Sequence, residues 1–148
     1  MNGMLSSSQQ VEQSTTSLWK AGLVTATLAV AANALIYGAG RIAGTIPKSV
    51  DVDTLSGNGP VTVSTVIFTS VLAVLVATLF YAVLQRITRR PERVFLIAGS
   101  LLLVVSLAMP FSIPGVPAKM AVTLALMHIT TAVLALGGLV WMHPSRPE

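Results

Sequence analysis

One side chain inside the apolar stretches of this sequence can take up and release a proton near neutral pH. His128 stands within the run Ala118–Met142, which holds no Asp, Glu or Arg. An imidazole can accept or donate a hydrogen bond, ligate a metal or touch a quinone, and an ionisable group among apolar residues is expensive to keep. Asn33, Thr69 and Ser106 are the polar residues that could meet it. Counted from one common end of their runs, Asn33 lies about five residues deep, Thr69 about eight, His128 about ten and Ser106 about three, at a helical rise of about 1.5 Å per residue. This predicts a small polar cluster in one half of the molecule, with Asn33 and His128 at its centre. Two readings of that cluster stand side by side. In one it holds a ligand, a proton or a quinone. In the other His128 is a neutral imidazole bonded to Asn33, a threonine or a backbone carbonyl, and Asn33 is interhelical glue worth about 1 kcal/mol or less.

Other chemistry finds little to work with. His128 and His143 lie on one prospective helix, whereas axial haem ligands must face each other across the iron. Asp51 and Asp53 offer two hard oxygen ligands, too few for a calcium site, and read as a solvated loop. The chain has no cysteine, which removes disulfides, thiolate metal sites and thiol redox chemistry. It lacks a glycine-rich phosphate loop, a Gly-x-Ser-x-Gly elbow and a His-Glu-x-x-His helix. A nucleophile or base would have to come from Ser, Thr, Tyr37, Tyr81 or His128, with no carboxylate in any apolar run to orient it. The expectation is therefore no catalytic residue, no metal and no cofactor.

The elements that must position these residues are long apolar helices. The chain is 53% hydrophobic and only 9% charged, against about 25% charged in a soluble domain. Apolar runs cover about 20–38, 61–84, 94–111 and 118–142, and a bilayer core needs roughly 20 helical residues. The stretch Val71–Leu84 shows no polar stripe at the helical period, so these are not half-buried helices of a soluble protein. Residues 1–19 contain no Lys or Arg, so the first run reads as a retained span and not a cleaved leader. The fold class is an all-α, polytopic bundle of four transmembrane helices. Residues 1–17 read as a flexible polar tail, 39–60 as an outer loop with a turn at Ser56–Pro60, 85–93 as an inner loop, and 143–148 as a C-terminal tail. Pro110, Pro114 and Pro117 stiffen the remaining connection.

Charge orients the bundle. Arg86, Arg89, Arg90 and Arg93 oppose Glu92 alone in residues 85–93, a net of +3, whereas the first loop sets Arg41 and Lys48 against Asp51 and Asp53. Basic residues in short loops stay in the cytoplasm. Both termini are then cytoplasmic, and Trp19 and Trp141 share the inner interface. The four arginines serve topology and could also meet lipid headgroups. Their confinement to one connector gives no nucleic-acid footprint. The expected partners are the lipid bilayer and either further copies of the chain or a larger membrane complex.

Lipid supplies no hydrophobic drive for helix association, so small and polar residues must supply it. Gly22, Ala26, Ala29, Asn33 and Tyr37 follow one face of the first span. Ala121, Ala125, His128, Ala132 and Ala135 do so on the fourth, and Thr62, Thr65, Thr69, Ala73 and Ala77 on the second. Gly40 and Gly44, and the pair Gly137–Gly138, are candidates for close contacts. The pattern of Leu-Trp-Lys-Ala-Gly at 18–22, Ala-Asn-Ala-Leu-Ile-Tyr at 32–37, Arg-Arg-Pro-Glu-Arg-Val-Phe at 89–95, Ser106-Leu107 and Leu126-Met127-His128 resembles a family of small bacterial four-helix membrane proteins of unknown function, the domain-of-unknown-function 6069 family. The resemblance spans about residues 18–142 and leaves the loop with Asp51 and Asp53 unmatched. It implies the four-helix fold and a bacterial inner membrane, and it implies no activity. The functional expectation is a non-enzymatic structural, oligomeric or accessory subunit. The alternative is a small-molecule binder or transporter using the Asn33, Thr69, Ser106, His128 cluster.

Overall fold

Four helices follow the four apolar runs. In a computed structural model, the backbone is described for residues 7–54 and 57–142 and the side chains for 17–52 and 59–142. Helix α1 spans Ser7–Ile42, α2 Val63–Ile87, α3 Pro91–Ser112 and α4 Ala118–Met142, with a short hairpin of β1 (Asp51–Thr54) and β2 (Gly57–Pro60) between α1 and α2. Each helix is long and apolar enough to cross a membrane. Their outer faces carry bare apolar side chains, with Leu35 76% and Val105 69% exposed. Lipid, not water, covers such a surface, and the chain is a multi-pass membrane protein.

The boundaries differ from the sequence reading at three places. The polar tail expected over 1–17 is helical from Ser7 onward; residues 1–6 and 143–148 lie outside the described residues. No Gly or Pro falls between Met4 and Ala21, so the membrane-anchored helix propagates outward at little cost. The inner loop expected over 85–93 shrinks to Thr88–Arg90. Gln85, Arg86 and Ile87 extend α2, and Pro91 starts α3 at a first-turn position where its missing N–H is not needed. The outer loop is partly ordered: α1 runs to Ile42, Gly44 ends it in the left-handed region at φ +69, and the hairpin pairs Asp51 with Pro60 and Thr54 with Gly57. Gly57–Pro60 is thus a strand where the sequence suggested a turn; Ser56 lies outside the described residues. Val52 pins the hairpin down, being 3% exposed within a cap that includes Ile46, Val61 and Met120.

Packing is waisted along the bundle. Leu18, Tyr81, Leu84, Phe95 and Leu139 fill one end, Ile46, Val52, Val66, Met120 and Met127 fill the other, and the smaller Ala29, Val74 and Ala135 form the apolar cluster between them. Helix α1 packs on α2 and α4, and α3 packs chiefly on α4. The inward face of α2 carries Val66, Ser70, Val74, Thr78 and Tyr81, one residue on from the expected Thr62, Thr65, Thr69, Ala73, Ala77 stripe. Thr69 satisfies its hydroxyl on the Thr65 carbonyl of its own helix at 2.8 Å, so nothing requires it to face inward.

Candidate functional site

Three helices meet at Asn33. Small residues on α1 let α2 and α4 approach, and Asn33, 3% exposed, fills the gap between them. Its Nδ2 donates to Ser70 Oγ at 2.9 Å and to Thr131 Oγ1 at 2.7 Å. One amide thus joins α1 to both neighbours. Its Oδ1 is buried with no hydrogen-bond partner, as is the Thr25 hydroxyl. Nearer the hairpin end, the Tyr37 hydroxyl donates to the Val61 carbonyl at 3.2 Å, and the Thr45 and Thr123 hydroxyls stand 3.0 Å apart.

The four residues expected to cluster are not brought together. Only Asn33 lies in the seam. Thr69 is turned onto its own helix, Ser106 donates to the Leu103 carbonyl at 2.8 Å, and His128 is exposed, with Nδ1 2.9 Å from the Leu124 carbonyl. Because a carbonyl can only accept, Nδ1 is the donor in this contact. Ser70 and Thr131 are the partners of Asn33 that the sequence did not reveal. The available signal was the run Ser70-Val74-Thr78-Tyr81, an i, i+4, i+8, i+11 stripe more coherent than the threonine stripe beside it.

A second polar group sits near the α2–α3 connection. Tyr81 is fully buried against Phe95, ring centroids 4.8 Å apart. The Tyr81 hydroxyl shares a hydrogen bond with the Gln85 side chain, close enough to Glu92 to feel its charge. Arg86, Arg89, Arg90 and Arg93 are all exposed at this end.

What can these arrangements do? The Asn33 seam contains no group that ionises near neutral pH, so it cannot activate a nucleophile or relay protons. It can fix helix register. Among the described residues no group of three His, Cys, Asp or Glu could hold a metal. An open apolar crevice of about 270 Å³ lies between α1 and α4 near the outer end, lined by Ile36, Ala39, Gly40, Ala43, Thr45, Thr123 and Leu126. Its apolar lining suits a small apolar body.

No curated protein and no solved structure matches the chain. A family model does, a family of unknown function (DUF6069), over residues 13–141. That range takes in all four spans and the loop with Asp51 and Asp53 that the short motifs did not reach. With most of its length inside that match, the chain belongs to the DUF6069 family of unknown function.

Proposed function

We propose that this protein is a non-catalytic subunit of the bacterial inner membrane that acts by packing against other membrane helices, as a homo-oligomer or as part of a larger complex. Both termini are cytoplasmic. The observation that supports it is where the polar groups lie. The seam inside the bundle is built of amide and hydroxyl groups, while His128 is exposed outside it. The Gly99–Leu136 contact places α3 beside α4. Counting seven residues outward on one helix and eight on the other sets Ser106 and His128 within about 1.5 Å of the same depth. Helix α3 taken whole is thinly covered, with 11% of its apolar stretch buried against 28–33% in the other helices. An exposed imidazole among hydrocarbon is costly unless another helix supplies a polar partner.

Cross-linking in intact membranes, followed by native mass spectrometry in mild detergent, tests this. The expected species holds more than one polypeptide, and His128→Ala shifts it toward the single chain. A lone chain from wild type, with no added subunit in either measurement, overturns the proposal.

A second reading, small-molecule binding, is favoured by the outer crevice. There Ala43→Phe would block an apolar ligand without touching the core, since Ala43 is exposed. Ligand retention unaffected by that substitution would rule the crevice out.

A further inference from the structure

The short connector between α2 and α3 concentrates positive charge. Arg86 ends α2, Arg89 and Arg90 form the connection, and Arg93 lies in the first turn of α3. Among the described residues none of the four guanidinium groups is paired with a carboxylate, and all four residues are exposed. Glu92, the sole acid of this stretch, is only half-exposed and lies near Tyr81, on the bundle side of the connector. Helix α3 also begins without a side chain capping its first amides, because the N-cap Arg90 makes no capping bond. Those amides add a weak positive end to the same spot.

Position decides what anion meets this charge. The ends of α1 and α4 lie at the same side of the bundle, as the close approach of Gly138 to Thr25 and of Gly22 to Thr78 requires. There the exposed Trp19 and Trp141 mark the bilayer interface. A guanidinium at that level stands beside lipid phosphates, whose oxygens match its planar fork in a way a lysine ammonium does not. We infer that the connector is a binding site for the phosphate of an anionic membrane phospholipid, with Arg89 and Arg90 as its centre and Arg86 and Arg93 as its flanks. This goes beyond orientation, since a topogenic signal needs only net charge during insertion, whereas this site holds anionic lipid in the finished protein.

The chain's two tryptophans both lie at this end, so they report the adjoining lipid. The full chain is reconstituted in phosphatidylcholine vesicles with increasing brominated phosphatidylglycerol, and in parallel with brominated phosphatidylcholine. Both leaflets carry the quencher, so orientation does not enter. Phosphatidylglycerol is expected to quench at a several-fold lower mole fraction, with each basic group near the surface contributing up to about fivefold. The double variant Arg89→Gln, Arg90→Gln is expected to lose most of that preference, while Lys119→Gln at the opposite end keeps it. Excess inorganic phosphate should leave the preference in place. Equal quenching of wild type by the two lipids overturns the inference. So does a preference that survives the double substitution, or one that free phosphate abolishes, which would assign the site to a soluble anion.

Discussion

At the scale of single residues, Asn33 and His128 exchange the importance their chemistry suggests. The ionisable residue bonds only within its own helix, and the neutral amide ties three helices together. Removing the amide should therefore matter more to the fold. Asn33→Ala deletes two interhelical hydrogen bonds, each worth roughly 0.6 kcal/mol in a membrane, and is expected to lower stability by about 1 kcal/mol in a detergent-denaturation titration. His128→Ala should change the same titration by a few tenths of a kcal/mol at most, as for an exposed site. Equal losses would mean that His128 holds the bundle too. A double-mutant cycle of Asn33→Ala with Thr131→Val should show coupling near the strength of one such bond; strict additivity would deny the contact. Asn33 was legible in the sequence because an amide in an apolar run must find partners. Its partners were not, because a Ser or Thr hydroxyl can bond the preceding turn of its own helix and then face any direction.

At the scale of elements, the helices and their order could be read directly, since a charge-free stretch of span length admits few alternatives. The rotation of α2 could not. A shift of one residue turns the inward face by about 100°, and both stripes on α2 are small and apolar enough to serve. Glycines show where the choice is enforced. A methyl group at Gly22 would stand 2.8 Å from Thr78 Oγ1. Thr78 cannot retreat: it is β-branched, 1% exposed, and bonded to the Val74 carbonyl at 2.8 Å. Gly22→Ala is thus expected to cost about 1–3 kcal/mol, the range for overpacking. The adjacent pair Gly137–Gly138 separates in the same test. A methyl group at Gly138 would stand 2.8 Å from Thr25 Oγ1, whereas one at Gly137 would meet nothing within 4 Å. Gly138→Ala should destabilise, and Gly137→Ala should be neutral or stabilise by up to about 1 kcal/mol through helix propensity. Thermal denaturation of the two variants in one detergent decides this, and the reverse order would show that α4 is rotated from its described position. Gly40 and Gly44, which resemble a helix-contact pair, do different work: Gly44 supplies the positive φ that stops α1, and Gly40 lies against Ile46 beneath the turn.

At the scale of the whole molecule, the two ends differ. One end bears a folded cap, with Val52 and Ile46 buried over the bundle and Arg41 donating to the Ile46 carbonyl at 2.7 Å. The other bears the arginine connector and the N-terminal part of α1, whose 36 residues make about 54 Å of helix against a hydrocarbon core of about 30 Å. Translocating the second end would carry four guanidinium groups across the membrane, and short loops with that charge stay behind. Because the chain has no cysteine, introduced thiols report sidedness without background. Ser49→Cys, exposed in the capped loop, is expected to react with a membrane-impermeant maleimide on intact cells. Thr88→Cys, in the connector, should react only once the membrane is opened. Neither substitution alters a charge, so neither disturbs the signal being tested. Labelling of Thr88→Cys from outside would invert the molecule. It would also turn the lipid-binding arginines toward the outer leaflet, where their part in retaining the connector could no longer explain them.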